Sequence, residues 1–471
     1  MTRAGWPLAA LALALAGCGS LVPPADGPTA PLRESFRVGG DAAAPAEPSA
    51  QAAETAKTWA DFFTDDRLRR VVVLALDGNR SLRAGLAAVE RARAQYGISA
   101  AERWPALEAG ASAGRQRSSV GAGSEAASTS YSVSLGVTAW EIDLFDRLGS
   151  LRGAALSRYL AEQETQAGAS LVLVADVAQA WLLLAAERQR LRLAEQLRDS
   201  QQRTLELTER QYALGAASGL QTARARTAFE SARGDAARSA AAVVQARLSL
   251  ELLAGQPLPD SLLPTEQDAT ATALPELPGG LPAEVLLQRP DLRAAERTLQ
   301  AAAYDVGAAR AARFPRLTLT ASAGTRSPEL DGLFRPGTGF WSLLPTLELP
   351  LLDAGARRAQ VDASEATRRE ALARYDAALQ SAFRDVADAL AVRDSLAERL
   401  SAQEAQVEAA ERTLALAEQS YRLGASSQLE LLDAQRELAG ARQGLVSLRL
   451  TEQVNRVDLL RSLGGRWSAG G

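Results

Sequence analysis

Two hydrophobic periods alternate along this chain. From Trp59 onward most of the sequence is built from Ala, Leu, Glu, Gln and Arg at helical spacing, and these are good helix formers. Proline-free runs from Leu148 to Leu214 and from Ala354 to Leu423 predict two very long helices. Each would be on the order of 100 Å long at about 1.5 Å per residue. Shorter helices are predicted over 66–103, 219–254, 284–313 and 428–463. In four places the period drops to two. Within 105–117, Leu107, Ala109, Ala111 and Ala113 share one parity. Within 131–139, Tyr131, Val133, Leu135, Val137 and Ala139 alternate with Ser132, Ser134, Gly136 and Thr138. Within 315–325, Leu317, Leu319, Ala321 and Ala323 face away from Thr318, Thr320 and Ser322. Residues 339–352 form a fourth, less regular strand.

Strict alternation gives one apolar and one polar face. Segments of about ten residues suit a tilted membrane strand. Trp104, Tyr131, Trp140, Phe314, Phe340 and Trp341 lie near the strand ends. Their placement is similar to the interfacial girdles of outer-membrane barrels. The Gly/Ser-rich stretch 118–129 and the Pro/Gly-rich stretch 326–339 would be the outer turns. Four strands cannot close a barrel, and lipid does not tolerate open sheet edges. Several chains would share one barrel, with eight strands in a dimer or twelve in a trimer. A soluble hairpin packed on a helix is the competing reading.

The halves of the chain match. Trp104-Pro105 corresponds to Phe314-Pro315 and Asp143 to Asp353, both at an offset of 210 residues. Tyr212 corresponds to Tyr421, and Leu253-Ala254-Gly255 resembles Leu463-Gly464-Gly465. The order helix, two strands, very long helix, turn, shorter helix therefore occurs twice. The first repeat is placed at 59–270, the second at 271–465, and a C-terminal tail at 466–471. The proline-rich segment 255–283 reads as a loose belt midway along the helices.

The first residues set the compartment. Arg3 precedes a short apolar run, Leu8 to Ala16, too short to span a bilayer and suited to a signal-peptide core. Leu15-Ala16-Gly17-Cys18 matches the bacterial lipobox, so 1–17 is expected to be cleaved and Cys18 acylated. Gly19 follows, which favours outer-membrane delivery by resemblance to bacterial lipoproteins. Residues 18–58, rich in Pro, Ala, Gly and Glu, read as an extended tether. Cys18 is the only cysteine, so the mature chain has no internal disulfide. The chain has no histidine, which removes Ser-His triads and His-metal sites. A net charge of −4 with no basic tract argues against nucleic acid. With no P-loop, dinucleotide fingerprint or CxxC, no catalytic residue, metal or cofactor is expected beyond the lipid on Cys18.

Three stretches carry a family resemblance: Trp59-Ala60-Asp61-Phe62-Phe63, the block GLPAEVLLQRPDLRAAERTLQAAAYDVGAARAARFPRLTLTASAG at 280–324, and YRLGASSQLELLDAQREL at 421–438. Together they resemble the TolC/OprM/NodT-type outer-membrane factors, exit ducts of tripartite efflux pumps and type I secretion systems. The lipobox and the 280–324 block resemble the lipoprotein branch. The resemblance implies a mainly α protein with a membrane β-barrel. Three chains would supply four strands each to a twelve-stranded barrel, continued by a long α-helical periplasmic tunnel that tapers to a closed tip. It implies a passive drug or solute conduit, with a periplasmic adaptor and an inner-membrane transporter as partners. A protein-secretion duct is the alternative on the same fold, and a pore-free coiled-coil tether is the structural rival.

The turns hold the candidate site residues. Gly215 and Gly424 suit the left-handed position that ends a helix. Ser218 with Gln221, and Ser427 with Glu430, have capping-box spacing. Glu430 therefore reads either as a cap or as a pore acid. Asp433 lies one turn further in, and the family match assigns it to the acids lining the pore constriction. Arg436 matches an arginine near the constriction of the OprM-like branch. Tyr421 matches a tyrosine that ties the closed tip in TolC, while Ser426 stands where TolC has the partner arginine. Tyr212, Gly215, Ser218, Tyr421, Gly424 and Ser427 are assigned to the periplasmic tip and adaptor contact, and Gln221 and Arg224 either to the rim of the constriction or to the face toward the adaptor.

Overall fold

The computed structural model describes residues 21–24, 59–119, 125–268 and 283–465. Cys18, the predicted signal, the C-terminal tail and all of the predicted tether except residues 21–24 lie outside the described residues, as does part of the predicted belt. In chain order the elements are α1 (Trp59–Phe62), α2 (Asp66–Gly78), α3 (Arg80–Ala101), β1 (Leu107–Ser119), β2 (Glu125–Ile142), α4 (Arg147–Ala213) and α5 (Gly219–Ala254). They continue with α6 (Pro290–Ala311), β3 (Arg316–Ser327), β4 (Gly339–Glu348), α7 (Ala356–Arg422) and α8 (Gln428–Ser462). Both predicted long helices form without a break, as α4 and α7, each of 67 residues.

The contacts gather into two compact units. Among described residues the first holds 21–24, 87–119, 125–164 and 293–378. Its sheet has the order β1-β2-β3-β4, with every neighbouring pair antiparallel. Ala109 faces Leu135, and Leu135 faces Ala323, so the predicted apolar parities fall in register across the strands. The opposite face carries hydroxyls, with Ser112 against Ser132 at 2.7 Å and Ser322 against Ser342 at 2.9 Å. β2 runs 18 residues, longer than the alternation predicts, because small residues at 126–130 continue the ladder without an apolar signal. A bulge between Val137 and Trp140 interrupts the β2–β3 register. β4 stops at Glu348, short of the predicted end at 352.

At the strand-to-helix joint, Glu141 is buried between two guanidiniums, 2.7 Å from Arg147 and 2.6 Å from Arg316. Asp143 accepts from the Arg147 and Gly149 amides, satisfying free donors at the start of α4. The Asp353 carboxylate does the same for Gly355 and Arg357 before α7. Burial, then the neighbouring Asp143 charge, pushes the Asp146 carboxyl above its usual range.

The second unit holds 59–86, 165–268, 283–292 and 379–465. Its core includes Phe62, Leu68, Trp181, Leu184, Leu250, Leu263, Leu286, Leu292 and Leu460, all fully buried. α4 is apolar enough over one stretch to cross a membrane, but 56% of that stretch is buried in protein. Its apolar residues, Leu173, Val174, Val177, Ala178 and Trp181 among them, serve packing.

Three expectations are corrected here. The helix predicted over 66–103 is broken at Asn79, whose Oδ1 caps the Leu82 amide and whose Nδ2 donates to the Leu253 carbonyl. The break brings Gly78 and Gly255 together so closely that a Cβ on Gly78 would lie 2.5 Å from the Ala254 oxygen. The described part of the predicted belt is pinned, not loose. Leu258 and Leu263 are buried, Trp181 Nε1 donates to the Leu262 carbonyl at 3.2 Å, and Arg188 donates to that of Pro264. The helix predicted from 284 begins at Pro290, and a 3-10 turn, Ala283–Gln288, precedes it. Proline at a first helical position loses no hydrogen bond.

Candidate functional site: the helical turns and the face of α8

Each long helix ends in the same way. The Gly215 amide donates to the Tyr212 carbonyl at 2.9 Å, and the Ala216 amide to that of Gln211 at 2.8 Å. The Gly424 amide donates to Tyr421 at 3.0 Å, and the Ala425 amide to Ser420 at 2.8 Å. Gly215 has φ 77° and Gly424 φ 74°, the left-handed conformation that closes this double-bonded helix end. Three residues after each glycine a serine starts the next helix. Ser218 and Gln221 form a reciprocal capping box, and Ser427 and Glu430 form another. The bland reading of Glu430 as a cap is therefore correct as far as its hydrogen bond goes.

Ser427→Ala removes one half of that box. The first turn of α8 should lose about 1 kcal/mol of local stability. Hydrogen exchange at residues 428–431 should then speed up about fivefold, and unchanged exchange would contradict the cap's role.

α8 has two clearly different faces. Gln428, Leu431, Leu432, Gln435 and Leu438 are buried at helical spacing. Leu429, Glu430, Asp433, Arg436 and Glu437 share the exposed side. Asp433 and Arg436 form an ion pair there, one turn apart. The structure thus brings Glu430, Asp433 and Arg436 together on one solvent-accessible helix face, with an excess of acid.

The buried face holds a feature that sequence reading missed. Gln201 Nε2 donates to Gln435 Oε1 at 2.9 Å, and Gln435 Nε2 donates to Ser200 Oγ at 3.2 Å. Gln428 Nε2 donates to Thr208 Oγ1 at 2.9 Å, and the Tyr421 hydroxyl to Gln211 Oε1 at 3.4 Å. These bonds run between α4 and α8, and between α4 and the end of α7, as a neutral polar strip. Gln201 Oε1 and Gln428 Oε1 stay buried without a partner. Each costs about 1–3 kcal/mol, so the strip sits short of its hydrogen-bonding optimum. The signal in the sequence was glutamine at positions where the helical period calls for leucine.

The two tyrosines differ. Tyr421 is half-buried and bonded to Gln211, whereas Tyr212 is exposed, its ring edge 3.9 Å from where a Cβ on Gly219 would lie. Arg224 is exposed and Gln221 half-buried.

The sequence profile of the outer membrane efflux protein family matches twice, over residues 71–256 and 281–465. The chain belongs to the outer membrane efflux protein family. It is an outer-membrane component of an efflux system, and members of this family are transport channels. The outer membrane protein OprJ of Pseudomonas aeruginosa is 40% identical over 475 residues, covering 100% of this chain and 98% of OprJ. The antibiotic efflux pump outer membrane protein ArpC of Pseudomonas putida is 38% identical, over 99% of this chain and 96% of ArpC. Among solved structures, a membrane protein from Pseudomonas aeruginosa matches with TM-score 0.87 and 38% identity, over 95% of this chain and 100% of that one. The open state of the Neisseria gonorrhoeae MtrE outer membrane channel matches with TM-score 0.80 and 36% identity, over 95% of this chain and 98% of MtrE. The efflux family thus accounts for the co-occurrence of a one-face-apolar sheet with helices of 67 residues.

Proposed function

We propose that this chain works as a homotrimer, a passive exit duct for drugs or other small solutes in a tripartite, RND-type efflux system. The single observation that carries the assembly is the sheet itself. Its order is β1-β2-β3-β4, so β1 and β4 are both edges, and its outward parity is apolar. An edge strand in lipid leaves amides and carbonyls unsatisfied. Three copies pair β4 of one chain with β1 of the next and close twelve strands. The helices continue the duct into the periplasm as a tunnel, and Cys18 carries the lipid anchor. The double match to the family profile supports descent from two repeats.

In this reading the turns at Tyr212, Gly215 and Ser218 and at Tyr421, Gly424 and Ser427 meet the periplasmic adaptor. Asp433, Glu430 and Arg436 line the constriction. Three chains bring three copies of that acidic face around one axis, where like charges hold cations. Energy and substrate come from an inner-membrane transporter. Names such as antibiotic efflux pump and toluene efflux pump among relatives support small apolar or amphiphilic cargo.

A deletion strain, scored for growth across antibiotic, dye and solvent classes, tests the cargo. At least one class is expected to become several-fold more toxic, with reversal by the restored gene. Unchanged susceptibility together with loss of an exported protein would replace this reading with a secretion duct.

A further inference from the structure

We propose that the outer mouth of the barrel holds a binding site for aromatic carboxylates, made by the Arg326 guanidinium over the Phe340 ring. The inference rests on the reading above that the apolar parity of the sheet faces lipid, which turns the other parity to the lumen.

By sequence Phe340 belongs with Trp341 among the interfacial aromatics. The strand register separates the two. Trp341 stands opposite Ala323 on the apolar parity, with Leu343, Pro345 and Leu347. Phe340 stands opposite Gly324, on the hydroxyl face of Ser322 and Ser342, so it cannot join a lipid-facing ring. The same face of β3 reads Thr318, Thr320, Ser322 and Gly324 and ends in Arg326. Arg326 and Phe340 are therefore diagonal neighbours across two strands, close enough for a long side chain to meet an aromatic one. The Arg326 Cζ lies over the Phe340 ring, 4.8 Å from its centroid. Phe340 is half-buried and Arg326 exposed.

A ring face steadies a cation without taking up its N–H donors as a carboxylate would. Among the described residues Arg326 has no ion-pair partner. Opposite it on β2 is Ser132, bonded to Ser112. In the following loop Glu329 is exposed, and Asp331 is paired with Arg335. Glu125 belongs to the other parity of β2 and is roughly 23 Å along the strand from Ser132. Above Glu108 this face of β1 is Gly110, Ser112, Gly114 and Gln116, so a neighbouring copy brings no carboxylate to the pair.

Height places the pair at the exit. β3 begins next to α6 at Arg316. Ten residues on, Arg326 is about 33 Å further along the strand, or roughly 25 Å along the membrane normal at a tilt of about 40°. That is the whole apolar band of such a barrel. Twelve strands about 4.8 Å apart at this tilt give a wall radius of roughly 12 Å. Three guanidiniums leaning along that wall stay beyond the Debye length of about 8 Å. Each copy is thus a local site, not part of a pooled field. Guanidinium meets a carboxylate through two parallel hydrogen bonds and stacks on aromatic faces. Phe340, with Leu344 further down the same face opposite Thr320, offers apolar contact to the body of such a solute.

The test is single-channel recording of the full-length protein in planar bilayers, in about 0.15 M salt near neutral pH. The probe is 2-naphthoate added on the outer side, with its uncharged isostere 2-naphthamide as comparison. In wild type, 2-naphthoate is expected to give brief blocks at concentrations about fivefold below those needed for 2-naphthamide. Arg326→Ala should weaken block by 2-naphthoate about fivefold and abolish the difference between the two probes. Arg326→Lys should fall between, and Phe340→Leu should weaken block while keeping the preference for the anion. Ser322→Ala, on the same face but away from the pair, should behave as wild type does. Absence of block in a conducting wild type, equal block in Arg326→Ala, or equal block of wild type by both probes overturns this inference alone. A wild type that stays monomeric and forms no channel overturns the barrel reading, and this inference with it.

Discussion

Asp433→Ala is expected to strip the open channel of much of its preference for cations. The exposed face of α8 carries Glu430, Asp433 and Glu437 against Arg436, and Arg436 is paired with Asp433. Removing Asp433 subtracts a charge and also releases a guanidinium that it had neutralised. A trimer repeats the change three times about one axis. Close charges in water-like surroundings interact by about 1 kcal/mol each, or roughly fivefold in relative permeability. The cation-to-anion ratio, read from reversal potentials under a salt gradient, should fall by on the order of fivefold or more. Block by a trivalent cation should weaken in parallel. Arg436→Ala should act in the opposite direction, since it leaves the acids uncompensated. Gln221→Ala disturbs a capping box without touching a charge, and selectivity should not respond to it. Unchanged selectivity in Asp433→Ala would return the residue to a solvated helix face.

Arg289→Ala is expected to give the largest loss of stability. The guanidinium is nearly buried and gathers three elements of the helical unit. It bonds Asp291 at the start of α6 at 2.8 Å, Asp385 of α7 at 3.0 Å, and the Ser462 carbonyl at the end of α8 at 3.1 Å. Burial works to lower its pKa, but hydrogen bonding and charge from Asp291 and then Asp385 outweigh this and raise it. Alanine would strand two carboxylates and a helix-terminal carbonyl. A fully buried pair costs about 3–5 kcal/mol to break. Here both carboxylates are about half exposed, and water recovers part of that. A loss of about 2–3 kcal/mol is therefore expected in denaturant unfolding. The pH dependence has a definite sign. Burial pushes the Asp291 carboxyl up, and hydrogen bonds and charge from Arg289 bring it below the ordinary value of 3.8. Its contribution is full above that value and is lost as pH falls through the lower folded one. The difference between wild type and Arg289→Ala should shrink in strong acid and stay flat near neutrality.

The four strands, the two uninterrupted helices and both turns were legible because each has a local cause. Alternation at 317–323, the proline-free run from 354 to 423, and Gly424 followed by Ser427 act over a few residues each. What sequence reading lost depends on distant partners. The break at Asn79 exists because Leu253, 174 residues away, offers its carbonyl. The segment after Ala254 looked loose because prolines forbid a helix, yet Trp181 and Arg188 hold it through backbone carbonyls that no pattern reveals. The polar strip at Gln201, Thr208, Gln428 and Gln435 was missed for a similar reason, although glutamine at leucine-like positions marked it. A buried glutamine and a solvated one look alike until the partner is known. Asp433 and Arg436 could be named from the sequence, but their mutual ion pair required the helix geometry.

Everything proposed about the pore depends on copies of this chain pooling their strands, and the oligomer is the most direct test. Native mass spectrometry of the mature protein purified in detergent reads it without a functional assay. The account predicts one dominant species at three times the chain mass, dissociating on heating together with loss of the strand signal in circular dichroism. A dominant monomer that retains its strand signal would show that β1 and β4 need no neighbours, and would contradict the shared barrel.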